Sequence, residues 1–233
     1  MPLFIVAALL LHTALAPAPG LAGARNPAYA LDGRLAVSVQ GDLWIVSTHG
    51  AWTRVTTGPA WDREPAWTPD GSAIVFSSDR AGTFGLWRVA AGAGAEPERL
   101  TASRLPDAEP VVTRDGRIIF VRGRLGAATL WVRSSDGSEA RLTNEHAAED
   151  WPAISSDRAR LAYVSLGDGT RRLHVRTLAT NQDTVVLTDA RIEHPAWSPD
   201  GTRLSWTATG ARGAVYVTPL DGHYVNLVST RHA

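Results

Sequence analysis

Acidic, aromatic and imidazole side chains cluster just ahead of four of the five prolines that recur along this 233-residue chain. Two carboxylates at a suitable separation could hydrolyse a glycosidic bond, and several carboxylates around one opening would attract a cationic group. The candidate binding residues are Trp61, Asp62, Arg63, Glu64, Asp107, Glu109, Asp150, Trp151, Glu193 and His194. In the alternative interpretation, each carboxylate pairs locally with an arginine or a backbone donor and only stabilises the fold.

Five copies of one repeat position these candidates. Each copy starts at a recurrent proline and ends in a tight turn, over residues 27–33, 65–71, 110–116, 152–158 and 195–201. The leading prolines are 38, 45, 42 and 43 positions apart. A period near forty residues with several short strands per unit is typical of a β-propeller blade. The predicted blades cover approximately residues 25–62, 63–107, 108–149, 150–192 and 193–230.

Each repeat predicts four strands, so the predicted fold class is all-β, a β-propeller of five four-stranded blades. The first strand ends in a turn such as residues 68–71, where proline presets φ and glycine suits the left-handed position. A Leu-Trp pair such as Leu86-Trp87 marks the third strand, and a Leu-Thr pair such as Leu100-Thr101 marks the fourth. In the fourth repeat Arg158 replaces the glycine, so we expect a changed turn there.

The nine tryptophans could stack against a ligand, but most of them recur at fixed positions in the repeat. We expect the recurrent ones to fill the space between blades: Trp44, Trp67, Trp87, Trp131 and Trp197. Trp61 and Trp151 lie just ahead of a first strand and are better candidates for ligand contact. His174 takes the tryptophan position of the fourth repeat, and we expect it to be packed.

The Pro-x-Trp-Ser-Pro-Asp-Gly, Leu-Trp and Arg-Leu-Thr motifs resemble the repeat of TolB-like β-propellers over nearly all of residues 25–230. The resemblance implies a scaffold whose default role is protein–protein interaction at the bacterial envelope. TolB itself has six blades and a separate N-terminal α/β domain, whereas five repeats are visible here. These repeats therefore form either a closed ring or an open array that is incomplete relative to a six-bladed relative.

An apolar run over residues 3–11 and the small residues Ala22-Gly23-Ala24 predict a secretory signal peptide, residues 1–24, cleaved after Ala24. The alternative is an uncleaved membrane anchor, although the run is shorter than the ~20 apolar residues that cross a bilayer. Cleavage would leave no stable membrane span and would place the protein in the periplasm or outside the cell.

The composition argues against several functional classes. The chain has 23 basic and 23 acidic residues and no long basic run, so no electrostatic footprint for nucleic acid is present. It has no cysteine and no His-Glu-x-x-His or Gly-x-Ser-x-Gly motif. The sequence therefore predicts no disulfide, no metal, no cofactor and no catalytic residue.

These observations favour an exported, non-enzymatic scaffold that binds a protein or peptide partner. The first alternative is a propeller that binds or cleaves a glycan with carboxylates at the channel mouth, among them Glu64 and Glu109. The second alternative is a detached propeller that needs another chain to complete its array.

Overall fold

A computed structural model describes residues 23–124, 126–143, 147–189, 191–208 and 215–220, together with the backbone of residues 226–228. These residues form five four-stranded antiparallel sheets arranged as a β-propeller, which confirms the predicted fold class. The predicted signal peptide lies outside the described residues, except for Gly23 and Ala24, and Ala24 begins the first strand. Within the described ranges, no helix has the length and apolar character needed to span a bilayer.

Every blade orders its four strands as they occur in the chain. The first strand of each blade lies at the central channel and is called the inner strand. Blade one comprises β1 (Ala24–Tyr29), β2 (Leu35–Val39), β3 (Asp42–Val46) and β4 (Trp52–Arg54). Blade two comprises β5 (Asp62–Trp67), β6 (Ala73–Ser78), β7 (Gly85–Ala90) and β8 (Glu98–Arg99). Blade three comprises β9 (Asp107–Val112), β10 (Ile118–Arg122), β11 (Thr129–Arg133) and β12 (Glu139–Arg141). Blade four comprises β13 (Ala148–Ile154), β14 (Arg160–Gly167), β15 (Thr170–Thr177) and β16 (Asp183–Thr188). Blade five comprises β17 (Ile192–Trp197), β18 (Arg203–Ala208), β19 (Val215–Pro219) and β20 (Asn226–Val228).

Each inner strand contains a β-bulge at the same place. In blade two the register against β6 shifts between Arg63 and Ala66, and the other four inner strands shift at the equivalent position. The residue before the recurrent proline takes a left-handed conformation at this bulge. The φ values are 51°, 56°, 52°, 55° and 48° for Asn26, Glu64, Glu109, Trp151 and His194.

The turn at the other end of the inner strand is the same in all five blades. In blade two the N–H of Gly71 donates to the carbonyl oxygen of Thr68 at 3.0 Å, and φ of Gly71 is 67°. In blade four the N–H of Arg158 donates to the carbonyl oxygen of Ser155 at 2.8 Å, and φ of Arg158 is 56°. The prediction of a changed turn in blade four is therefore wrong, because arginine adopts the conformation that glycine adopts elsewhere.

The recurrent Leu-Thr pair, which is Val55-Thr56 in blade one, has a structural role that explains its repetition. The hydroxyl oxygen of Thr56 accepts the N–H of Leu43 at 2.9 Å, and that of Thr101 accepts the N–H of Leu86 at 2.9 Å. Both threonines are buried. In blades one to three the pair lies just past the fourth strand instead of within it, and from there it ties the outer edge to the third strand.

Trp67 and Trp197 pack between adjacent blades as predicted, whereas Trp44 packs against residues of its own blade, among them Trp52. Trp67 is 2% exposed, and its indole N–H donates to the carbonyl oxygen of Ala28 in the preceding blade at 3.0 Å. Trp197 makes the equivalent bond to Ala153 at 3.0 Å. His174 is buried as expected.

The packing between blades has one interruption. Inner strands of consecutive blades contact each other from blade one through blade five, whereas the described residues show no comparable packing between blade five and blade one. Tyr29 occupies in blade one the position of Trp67 in blade two, yet it is 72% exposed. Over the described residues the array is therefore open between its first and last blades.

Candidate functional site

A cavity of about 400 Å³ lies at the mouth of the central channel. Its walls are formed chiefly by the residues that precede the five recurrent prolines, together with those prolines: Asn26, Glu64, Glu109, Trp151 and His194. Four of these five were predicted as binding residues from the sequence. Asn26 was missed, although it precedes its proline in the same way as the others.

Hydrogen bonds link the mouth residues of neighbouring blades. One carboxylate oxygen of Glu64 accepts the backbone N–H of Glu109 at 2.8 Å and the hydroxyl of Ser77 at 2.8 Å. Glu109 in turn accepts the backbone N–H of Trp151 at 2.8 Å. The left-handed backbone thus offers an N–H to the carboxylate of the preceding blade, and both carboxylates are fixed at the mouth.

Glu109 has an unusual proton affinity. Burial raises its pKa to about 7, and repulsion from the Glu64 carboxylate contributes to the rise. The hydrogen bond from Trp151 opposes this effect. The Glu109 carboxyl is therefore partly protonated near neutral pH. A cation that enters the cavity would favour its charged form, so cation binding would release a proton.

The other side of the mouth is aromatic. The rings of Trp151 and His194 lie 4.9 Å apart, tilted by 38°. The guanidinium carbon of Arg171 lies 5.0 Å from the centre of the Trp151 ring, and this arginine donates to Glu193 at 2.7 Å. Arg171 therefore supports the tryptophan and pairs with Glu193, and Glu64 and Glu109 are the carboxylates that line the cavity.

Two of the predicted candidates have a local structural role. Asp62 accepts two hydrogen bonds from Arg80, at 2.7 and 2.8 Å, and Asp107 accepts two from Arg122, at 2.6 and 2.9 Å. Both aspartates are buried within their blades. For Asp62 and Asp107, local pairing with an arginine describes the structure better than a role among carboxylates around the channel opening.

The remaining candidates, Arg63, Asp150 and Trp61, do not line the cavity. Arg63 packs 4.0 Å over the Phe84 ring and lies 3.4 Å from the Glu64 carboxylate. Asp150 is half-buried, and burial raises its pKa. Trp61 is exposed on the loop before β5 and does not belong to the cavity lining. Among the described residues, no group of three or more His, Cys, Asp or Glu side chains could hold a metal ion.

One side chain bridges the opposite end of the channel. Arg158 donates through Nη1 to the carbonyl oxygens of Trp67 at 3.0 Å and Val112 at 2.7 Å. These carbonyls belong to the inner strands of blades two and three, so an arginine from blade four joins three blades. Arg158, which replaces the glycine of the other turns, thus makes a contact across the channel. Its two hydrogen bonds offset the strain of its left-handed backbone.

Blade four contains a Ser-His-Asp arrangement that no local motif reveals. The hydroxyl oxygen of Ser165 lies 2.8 Å from His174 Nε2, and His174 Nδ1 lies 3.1 Å from a carboxylate oxygen of Asp183. The three residues lie on β14, β15 and β16, each nine positions from the next. Ser165 is 0% exposed, so a substrate carbonyl has no access to its oxygen. Tyr163 stacks on His174 at 4.6 Å, and we interpret the network as structural.

Comparison with known proteins identifies the family. The model of the TolB beta propeller domain matches residues 11–155, and the chain belongs to this family. The Tol-Pal system protein TolB of Bordetella pertussis is 34% identical over 161 residues, which cover 67% of this chain and 36% of that protein. The uncharacterized peptidase YuxL of Bacillus subtilis is 27% identical over 202 residues, which cover 78% of this chain and 29% of that protein. The chain therefore spans about a third of the length of these curated relatives.

The fold also matches a solved structure. The crystal structure of TolB from Acinetobacter baumannii superimposes with a TM-score of 0.76 and 22% identity. The match covers 89% of this chain and 54% of that one. This likeness shows a shared fold.

Proposed function

We propose that this protein is an exported, envelope-associated scaffold that binds a protein or peptide partner at the mouth of its channel. Membership of the TolB propeller family supports the scaffold role, and a relative that is named for the Tol-Pal system supports a role at the envelope. The apolar N-terminal run supports export.

The observation that most favours the channel mouth is the backbone conformation of its five residues. Each has φ near +50°, a conformation that costs a non-glycine residue about 1 kcal/mol relative to glycine. Four of the five turns at the other end of the inner strands use glycine in this region of φ. At the mouth no blade does so, which indicates that the side chains are needed there in spite of the strain.

The chemistry of the mouth favours a partner that inserts a cationic side chain. Glu64 and Glu109 supply fixed carboxylates, and the Trp151 and His194 rings supply flat faces on which a guanidinium group stacks well. Asn26 and His194 are exposed, so the site is accessible from solvent. We propose binding without catalysis because the Ser-His-Asp network is buried and the mouth carboxylates are engaged by backbone donors.

Site-specific photo-crosslinking in the native host tests this proposal. A photoreactive amino acid at Asn26 is expected to give a discrete adduct with one protein, which an excess of unlabelled chain competes away. The matched control is the same probe at Asp136, which is exposed in the turn between β11 and β12. Equal or absent labelling at the two positions would contradict the proposal. A glycan-array signal that disappears in Glu64→Gln, without a protein adduct, would instead support the carbohydrate alternative.

A further inference from the structure

A repeated arginine clamp joins certain blades to the next. In blade one, Arg34 places its guanidinium carbon 4.6 Å from the centre of the Trp67 ring in blade two and donates to the carbonyl oxygen of Gly71 at 2.7 Å. The approach is close, because a Cβ added at Gly71 would lie 2.9 Å from the Arg34 side chain. The clamp therefore needs an arginine on one blade, and an aromatic residue and a turn glycine on the next.

Blades four and five repeat this clamp. Arg160 lies 4.7 Å from the centre of the Trp197 ring and donates to the carbonyl oxygen of Gly201 at 2.8 Å. At the two intervening seams the aromatic residue is replaced by Val112 or Ile154. The equivalent position is then Ala73 or Arg117, and Arg117 bonds to Asp115 of its own turn, as Arg34 also does to Asp32, but meets no aromatic residue on the next blade. Arginine and aromatic residue thus act as a matched pair.

Blade five and blade one, at the two ends of the array, carry the two halves of a further arginine clamp. Arg203 in blade five is the equivalent of Arg34 and Arg160, because the carbonyl of each accepts the N–H of the first residue of its turn. Tyr29 in blade one is the equivalent of Trp67, and Gly33 is the equivalent of Gly71. Arg203, Tyr29 and Gly33 are all exposed, and Leu31 beside them is an exposed apolar residue.

We propose that blade five of one copy of this chain docks against blade one of a second copy, with Arg203 over Tyr29 and donating to the carbonyl oxygen of Gly33. A second copy brings the complementary halves together without altering any of the four packed seams. The contact is heterologous, so association either closes into a ring of copies or extends with concentration. Arginine over an aromatic face and an added charge-assisted hydrogen bond give this seam the chemistry of the other two clamps.

Disulfide trapping tests the contact, since the chain has no cysteine of its own. Chains with Leu31→Cys and chains with Thr202→Cys are mixed under mild oxidation. These two substitutions leave Arg203 and Tyr29 unchanged. Both positions are exposed, so the fold is expected to be retained. The mixed disulfide should form at least about fivefold faster than with Asp136→Cys in place of Leu31→Cys, because a disulfide requires close Cα positions. Adding Arg203→Glu should abolish this preference, whereas Arg88→Glu, a matched change at another exposed arginine, should not.

Two further measurements distinguish docking between two copies from closure of blade five on blade one within a single chain. Sedimentation of the wild-type chain should show concentration-dependent association that Arg203→Glu removes. A chain with both cysteines that forms only an internal disulfide would overturn the proposal in favour of closure within one chain. A trapping rate no higher than that of the Asp136 control would also overturn it.

Discussion

Two ends of the same inner strands use the same region of backbone conformation in different ways. At the turn end, Gly33, Gly71, Gly116 and Gly201 have φ between 66° and 87°, and Arg158 has φ of 56°. At the mouth end, φ lies between 48° and 56° for five non-glycine residues of four types: Asn26, Glu64, Glu109, Trp151 and His194.

This difference indicates that the turn end of each inner strand serves folding and the mouth end serves binding. At the turn end glycine removes the strain, and the one exception makes hydrogen bonds that join three blades. At the mouth end the strain remains in every blade, and the side chains converge on one cavity. We infer that substitutions at the turn end change stability, and that substitutions at the mouth change binding.

Trp67→Ala, at the turn end of β5, is expected to have the largest effect. It should lower the free energy of unfolding by about 3–5 kcal/mol, because a nearly fully buried indole and its hydrogen bond to Ala28 are lost. Tyr29→Ala, at the same repeat position in blade one, should change stability by no more than about 0.5 kcal/mol at low protein concentration. Denaturant unfolding measures both, and equal losses would show that blade one has a covered face.

Arg158 variants separate backbone strain from side-chain bonding. Arg158→Ala should lower the free energy of unfolding by about 2–3 kcal/mol, because two carbonyl groups lose a charged donor. Arg158→Gly loses the same bonds but relieves the left-handed strain, so its loss should be smaller by about 1 kcal/mol. If glycine proves as stable as arginine, the cross-channel bonds contribute no more than the backbone strain costs, and the arginine gives no net stability at the turn end.

Ser165 tests whether polar groups outside the cavity are structural. Ser165→Ala should lower the free energy of unfolding by about 1–2 kcal/mol, since a buried His174 nitrogen loses its partner. A fluorophosphonate probe should leave Ser165 unlabelled because the hydroxyl is fully buried. Labelling that Ser165→Ala removes would mean that blade four holds an accessible nucleophile.

Glu109→Gln is expected to raise stability, and the size of the effect depends on pH. The folded pKa of about 7 lies above the ordinary value of 4.5, so the wild type loses stability as pH rises from about 4.5 to about 7. Glutamine cannot ionise, and the variant should be more stable than the wild type by up to about 3 kcal/mol at pH 8. At pH 4.5 the two melting temperatures should coincide. A variant that is less stable at pH 8 would show that the carboxylate is favourable there.

The sequence predicts the fold well and the site only in part. The spacing of the prolines gives five blades, and the residues ahead of them include Glu64, Glu109, Trp151 and His194 at the mouth. Alternation along a strand is a short-range pattern, so it cannot show that Asp62 turns into its blade toward Arg80 while Glu64 faces the channel. That distinction depends on the bulge, which shifts the register between Arg63 and Ala66.

Long-range contacts were the least predictable features. Arg158 contradicts the local turn preference because its partners, Trp67 and Val112, are 91 and 46 residues away. The Ser165–His174–Asp183 network likewise depends on the pairing of three strands. The open seam depends on how far four blade interfaces turn the array, which no single repeat specifies.

Separate effects on binding and stability test the central claim most directly. The crosslink yield from Asn26 and the melting temperature are measured for the wild type, for Glu64→Gln/Glu109→Gln and for Arg158→Gly. The account predicts that the double glutamine variant loses about tenfold or more in crosslink yield, since charged contacts are lost, while its melting temperature is unchanged or higher. It predicts that Arg158→Gly melts at a lower temperature and retains the crosslink. A crosslink that survives in the double glutamine variant would contradict the assignment of binding to the channel mouth.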